Sequence, residues 1–324
     1  MIRESKKDSL GFDDVILQPV YSTIDSRNDV KLENQEKLIP IFSAPMKNIS
    51  EPDLVIEMGR LGGVGILHRY FNSAKDQSDS IIKISKTKVN FGVSIGIRNL
   101  YDELEYAFFS VSCGAKFIVI DVASGYLAKT SEATKRLYEF RDRNRLDFYI
   151  VVGNVVDFAG ACLLADAGAD FIRVGIGTGS LCLTSKSIGI GCSPLTAMNS
   201  CLPVKSIYPD VRLIMDGGIR NPGDALKAFA FGADAVMIGG LFGRAKEANN
   251  NGHIYGMSSF VLQKVMGKQL KSREGIEIQI PDEEIRPLED IFNEFTFGLK
   301  SGLSYLGCDN LASLKDLDIE YMRV

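Results

Sequence analysis

A chain of 324 residues, 45% of them hydrophobic, can bury a large core and is too apolar to be disordered. Lys and Arg number 37 against 41 Asp and Glu, and a net charge of −4 gives no electrostatic reason to bind nucleic acid. No apolar run reaches the ~18 residues of a membrane span, and the first eight residues lack the apolar stretch of an export signal, so no membrane partner and a cytoplasmic location are expected.

In chain order, short runs rich in Val and Ile occur at 40–46, 64–68, 90–95, 117–122, 148–154, 171–176, 212–217 and 235–240. Such runs suit strands buried on both faces. Helical stretches alternate with them, for example 51–61, 100–112 and 222–231. Three junctions repeat one pattern, Gly114-Ala115, Gly168-Ala169 and Gly232-Ala233, each placing a glycine where a left-handed helix cap belongs. Asn221 is a candidate N-cap, with Pro222 at the first helical position and Asp224 in the first turn. Residues 244–252 form a polar loop after the eighth strand, and 288–305 predicts a long helix. Eight alternating units predict a (β/α)₈ TIM barrel, with an open doubly wound sheet as the alternative. Residues 1–324 are therefore expected to form one barrel domain with an active-site loop at 244–276 and a C-terminal helical extension.

Six cysteines, at 113, 162, 182, 192, 201 and 308, are scattered without a CxxC pair or a histidine cluster, which argues against zinc and for reduced thiols. His68 and His253 have no nucleophile motif beside them. In a barrel the chemistry belongs at the C-terminal strand ends. Strand seven exits into Asp216-Gly217-Gly218 and strand eight into Gly239-Gly240. These glycines and the helix starting at Asn221 predict an anion site of backbone N–H groups and a helix N-terminus, the competing reading being tight turns without ligand. Strand six exits into Gly175 to Thr184, a glycine-rich loop carrying Cys182. A loop cysteine near an anion site can have a lowered pKa and act as a nucleophile. Spacing alone leaves it equally open that Cys182 is a small buried apolar residue.

Gly11-Phe-Asp-Asp-Val-Ile-Leu-Gln-Pro, Ser43-Ala-Pro-Met46, Gly62 to His68, Gly153-Asn-Val-Val156 and the Gly175 to Thr184 loop together resemble the IMP dehydrogenase and GMP reductase family. Asp216-Gly-Gly218, Tyr255-Gly-Met257 and Glu274-Gly275 extend the resemblance nearly end to end. It implies that Cys182 adds to C2 of a purine nucleoside monophosphate while a hydride passes between that carbon and a nicotinamide cofactor. It also implies that Thr184 and Glu274 protonate and activate departing ammonia. Ser180, Gly218, Gly240 and Tyr255 match the 5′-phosphate ligands, Asp216 the ribose ligand, and Met257 and Ser258 the base contacts. Met46, Gly217, Gly239 and Gly256 complete the implied substrate site, and Asp121, Ala123, Ser124, Gly125 and Tyr126 the implied cofactor loop. Carbonyls of Gly177, Gly179 and Cys182 are the implied holders of a monovalent cation such as potassium (K+), and relatives form homotetramers.

Within the family, the resemblance favours the reductase, with NADPH as cofactor and NADH as the alternative. The segment between His68 and Asn90 has no room for a regulatory CBS insertion. Between Met257 and Glu274 there is no tyrosine and no Arg-Tyr pair of the kind a dehydrogenase uses to activate water. Residues 25–27, 121–126 and 255–259 look reductase-like. Departures from the family pattern fall at Lys47, Asn48, Ser124, Thr178, Leu183, Ser185 and Arg273. They put the substrate in question more than the fold and allow a modified or deoxy guanine nucleotide. The competing functions are oxidation of IMP to XMP with NAD, a flavin-phosphate barrel, and a purine-nucleotide-binding barrel without catalysis.

Overall fold

A computed structural model describes residues 9–179, 184–257, 259, 262 and 276–324. The chain begins with β1 (Val15–Leu17) and then runs through eight parallel strands: β2 (Ile41–Ser43), β3 (Gly65–Leu67), β4 (Phe91–Ile95), β5 (Phe117–Asp121), β6 (Tyr149–Val155), β7 (Phe171–Val174), β8 (Arg212–Asp216) and β9 (Ala235–Ile238). Each lies within or over one of the eight predicted runs. Sheet order is β2-β9-β8-β7-β6-β5-β4-β3. A bridge between Phe42 and Val64 joins the two outer strands, with Ser43 N donating to Val64 O at 3.0 Å and Val64 N to Ile41 O at 3.0 Å. The sheet thus closes on itself, which rules out the open doubly wound alternative.

Helices α1 (Pro52–Arg60), α2 (Ala74–Ser85), α3 (Leu100–Ser112), α4 (Ala128–Asn144) and α5 (Phe158–Asp166) each fill one crossover. Two short helices, α6 (Thr184–Ile188) and α7 (Pro194–Cys201), share the next, and α8 (Pro222–Ala230) the last. The predicted caps form. Gly114, Gly168 and Gly232 have φ of +96°, +95° and +96°, and the following alanines donate to carbonyls five residues back, as Ala115 N does to Ser110 O at 3.0 Å. Asn221 Oδ1 accepts from Asp224 N at 3.0 Å.

After the barrel, β10 (His253–Tyr255) pairs antiparallel with β11 (Glu277–Gln279), so the described ends of the 244–276 loop meet over the mouth. The predicted C-terminal helix is α9 (Leu288–Tyr305). It packs closely on α8 because Gly298 and Gly302 face it. A Cβ at these glycines would come within 2.6 Å of Pro222 Cγ and 2.5 Å of Leu226 Cδ2. The last strand, β12 (Tyr321–Arg323), pairs antiparallel with β1.

Alternate residues of each strand face the barrel axis. Val64, Ile66, Val119, Val151, Ile214 and Met237 fill the interior. Rings of Phe42, Phe117, Tyr149 and Phe171 plug its N-terminal end, with centroids 5.2 to 5.9 Å apart. The same alternation turns Asp121, Arg173 and Asp216 inward at the opposite end, where the apolar filling stops.

Helix α1 rests directly on β3. A Cβ at Gly65 would lie 2.5 Å from Val55 Cα and 2.6 Å from Val55 O, both backbone atoms that cannot turn aside. Gly65→Ala should therefore cost about 1–3 kcal/mol of stability, seen as a lower urea midpoint at unchanged slope. An unchanged midpoint would show that α1 can move off the barrel freely.

Candidate active site

The β7 exit folds over the β8 exit. Gly175, Gly177, Gly217 and Gly218 all have positive φ, from +77° to +133°. Thr178 Oγ1 donates to Asp216 O at 2.7 Å. A Cβ at Gly217 would lie 2.7 Å from Thr178 Oγ1 and 3.0 Å from Gly179 N, and one at Gly218 would lie 3.0 Å from Thr178 O and 3.3 Å from the Phe12 ring. The loop also returns to its own start, since a Cβ at Gly177 would lie 3.0 Å from Ser185 Cβ. Both described ends, Gly179 and Thr184, are thus tied to the barrel mouth. Ser180, Cys182 and Leu183 lie outside the described residues, as do Ser258, Arg273 and Glu274; Thr184 is described only as the start of α6.

Of the expected anion site, the structure describes both the glycine turns and the start of α8. Gly218, Gly239 and Gly240 donate their N–H groups to no described residue. They are half-buried at adjacent strand ends, which makes a nest for an anion. The start of α8, however, is already occupied by its own acid. The buried Asp224 carboxylate accepts from Arg220 N and Nε at 3.0 Å and from Asn221 Nδ2 at 3.2 Å, and Arg220 also pairs with Asp13 at 2.6 Å. A negative charge that suits this helix dipole is thus built in beside the glycine turns.

Met46 leaves β2 toward this nest, its Sδ 2.8 Å from where a Gly239 Cβ would stand. The turn it opens is held by Lys47 and Asn48. Lys47 Nζ donates to Tyr70 O at 2.7 Å. Asn48, at φ +61°, donates to His253 O at 2.7 Å and so fastens the turn to β10. Glu51 Oε1 accepts from Asn48 N at 3.2 Å and from His68 Nε2 at 3.1 Å. His68 Nδ1 accepts from Tyr70 N at 3.0 Å, which assigns the ring proton to Nε2. Tyr255 is buried against Tyr70, Leu262 and Met257, and burial, with the Glu51 charge, pushes its hydroxyl up. Gly256 N donates to Ile276 O at 3.0 Å. Tyr255, Gly256 and Met257 are thereby brought beside the Met46 turn.

A buried ionic layer completes the mouth. Arg173 projects from β7 with a side chain 8% exposed. Its Nε and Nη2 donate to Asp216 Oδ2 at 3.0 and 2.8 Å, and its Nη1 to Asp121 Oδ1 at 3.1 Å. Burial alone would lower its pKa, but the Asp216 and Asp121 charges outweigh it and hold the guanidinium protonated. Asn154 Nδ2 adds a bond of 2.7 Å to Asp216 Oδ2 and another of 2.7 Å to Gly175 O. No described residue donates to Asp216 Oδ1. Arg69 supports Asp121, with Nη2 donating to Asp121 O at 3.1 Å and Nε 3.5 Å from Oδ2, an ion pair without hydrogen-bond alignment.

The expected cofactor loop follows Asp121. Ala123 is exposed and Ser124 half-buried, so small side chains front the mouth. Gly125 N donates to Asn154 O at 2.8 Å, and a Cβ there would come within 2.9 Å of Val155. Tyr126 accepts from Val156 N at 3.0 Å and donates to Asp157 at 3.0 Å, and burial pushes its hydroxyl up to about 12. Of the carbonyls expected around a monovalent cation, those of Gly177 and Gly179 belong to the described loop, while Cys182 does not. Sequence reasoning passed over Arg173, Asn154, Arg69 and the Glu51–His68 pair. Arg173 had a signal, a charge inside the run Phe-Ile-Arg-Val, since a buried charge requires partners.

At the mouth of the closed barrel lie glycine amides and an acceptor carboxylate, groups with the chemistry to take an anion and a hydroxyl. The IMP dehydrogenase / GMP reductase domain model matches residues 9–324, and the chain belongs to that family. It is a family of oxidoreductases that use nicotinamide cofactors on purine nucleoside monophosphates. The chain is 31% identical over 327 residues to the GMP reductase of Buchnera aphidicola, covering 94% of this chain and 91% of that protein. It is 29% identical to the GMP reductase of Enterobacter sp. (strain 638), covering 94% and 92%. Against the inosine-5′-monophosphate dehydrogenase of Cryptosporidium parvum it is 27% identical over 370 residues, covering 94% and 90%. Among the described residues no helix is long and apolar enough to cross a membrane.

The Glu51–His68 pair predicts an acid-sensitive element. Burial pushes the Glu51 carboxyl up, but hydrogen bonds from His68 and Asn48 N, with the Lys47 charge nearby, outweigh it and hold the group below its ordinary 4.5. A depressed carboxylate contributes stability that is complete above its ordinary value and lost as pH falls through the folded one. The stability gap between wild type and Glu51→Gln should therefore shrink as urea unfolding is moved from neutral pH to below 4.5. A gap independent of pH would count against the pairing.

Proposed function

We propose that the chain is a GMP reductase, converting GMP or a related guanine nucleotide to IMP and ammonia at the expense of NADPH. One observation carries this reading: the amides of Gly218, Gly239 and Gly240 and the Oδ1 of Asp216, none of them bonded to a described residue, share one mouth with both described ends of the Cys182 loop. The amides suit a 5′-phosphate, for which Ser180 and Tyr255 would be the further ligands, and Asp216 suits a ribose hydroxyl. Met46, Gly256, Met257 and Ser258 would border the base. The Cys182 thiolate then bonds to purine C2. The exocyclic C2–N bond breaks as the amine takes a proton, which Thr184 and Glu274 deliver.

A nicotinamide held at the loop of residues 121–126 would supply the hydride that replaces the amine at C2. The small side chains of Ala123, exposed, and Ser124, half-buried, beside Asp121 are compatible with such a group. Cleavage of the C2–S bond frees IMP and restores the thiolate. The sum, GMP + NADPH + 2 H⁺ giving IMP + NADP⁺ + NH₄⁺, balances in atoms and charge. Reductase is favoured over dehydrogenase because residues 258–273 contain no tyrosine and no Arg-Tyr pair to activate water. The GMP reductase relatives at 29% and 31% identity support the same choice. The reading includes a potassium ion on the carbonyls of Gly177, Gly179 and Cys182, a homotetramer and a cytoplasmic location.

The departures at Lys47, Asn48 and Thr178 support a second reading, a barrel that binds a purine nucleotide without turning it over. Loss of NADPH absorbance on adding GMP separates the two. Wild type should turn over, and Cys182→Ala should lose activity by about a thousandfold or more. Turnover undiminished by Cys182→Ala, or none with any guanine nucleotide, would overturn the reductase. Tight GMP binding without turnover would establish the binding barrel, and NADH formation from IMP and NAD the dehydrogenase.

A further inference from the structure

One guanidinium serves two carboxylates on opposite sides of the barrel mouth. Room for it comes from Gly153, the residue in register with Arg173 on β6. A Cβ at Gly153 would lie 2.6 Å from Arg173 O and 2.7 Å from Arg173 Cβ. Nε and Nη2 take Asp216, and Nη1 takes Asp121 at 3.1 Å. The two acids share no hydrogen bond of their own, and this cation is the group that bonds both. Each presents its remaining oxygen differently. Asp216 Oδ1 has no described donor, whereas Asp121 Oδ2 faces Tyr70 OH at 3.4 Å and Arg69 Nε at 3.5 Å.

The geometry points to Arg173 as a positioning residue that couples the nucleotide site at Asp216 to the cofactor side at Asp121. The inference rests on the reductase reading for what binds at each end. Its physical basis is the sharing of one charge in a buried layer, where screening is weak. If Asp121 loses its charge, the guanidinium turns more fully to Asp216 and makes that carboxylate a poorer acceptor for a ribose hydroxyl. A ligand on the Asp121 side acts in the same manner, and coupling of this kind is reciprocal. Lysine cannot replace the fork, because one ammonium cannot hold the two acids in fixed planes at once.

The test is GMP affinity, measured by calorimetry without cofactor, in wild type, Asp121→Asn, Arg173→Lys and the double variant. Asp121→Asn should weaken GMP binding about fivefold or more, although Asp121 lies on the cofactor side. With Arg173→Lys as background, the same substitution should leave GMP affinity unchanged. Equal effects in both backgrounds, or no effect of Asp121→Asn on wild type, would overturn the coupling. Should Arg173→Lys fail to fold, the single Asp121→Asn comparison still decides. Wild type that binds no purine nucleotide would remove the reductase reading, and the coupling with it. Wild type that binds GMP while Asp121→Asn binds it equally well would remove the coupling alone.

Discussion

Arg173 is a permanent cation in a space walled by eight strands, and an isolated charge there would cost several kcal/mol. Asp121 and Asp216 make it tolerable, and in exchange it fixes where each carboxylate points. Because the three side chains come from β7, β5 and β8, their pairing also sets how the strand ends sit relative to one another. The glycine turns after Asp216 and the loop of residues 175–179 are then built on a β8 end that cannot swing, with Thr178 bonded to the Asp216 carbonyl at 2.7 Å. Asn154 ties the same carboxylate to Gly175 O. Rigid support beneath flexible backbone is what a covalent mechanism at the mouth requires, since attack depends on alignment to a fraction of an ångström.

Around that ionic layer, binding capacity is expressed through absent side chains. Gly218, Gly239 and Gly240 expose backbone hydrogen, and Gly153 leaves volume for an arginine. Asp224 answers the α8 dipole from within and, through Arg220, locks the segment containing Asp13 against the barrel. An anion arriving at the mouth therefore meets neutral amides with no lysine or arginine clamp described beside them.

Much of the fold was legible beforehand because its signals are local. A strand buried on both faces needs an unbroken apolar run, and a helix ending in a left-handed turn needs glycine, so β2 to β9 and the caps at Gly114, Gly168 and Gly232 could be read directly. The site was less legible. Strand ends pointed to the glycine nest, but Cys182 rose above its bland alternative only through resemblance. Arg173 sat in plain view in an apolar run, yet its partners lie 52 and 43 residues away in sequence and meet only when the sheet closes. At α8 the expected N-cap forms, and the first-turn acid Asp224 is buried against Arg220 N and Asn221.

The antiparallel pair of β1 and β12 brings residues from opposite ends of the chain together, matching Val15 with Arg323. Just before β1, the Phe12 ring lies under Gly218, and Lys227 Nζ holds Phe12 O at 2.8 Å. Sequence distance and mechanical distance thus diverge: the last strand is a zipper tooth for the segment that props the anion nest. Fraying at the tail would be felt at the catalytic face before it was felt in the barrel wall.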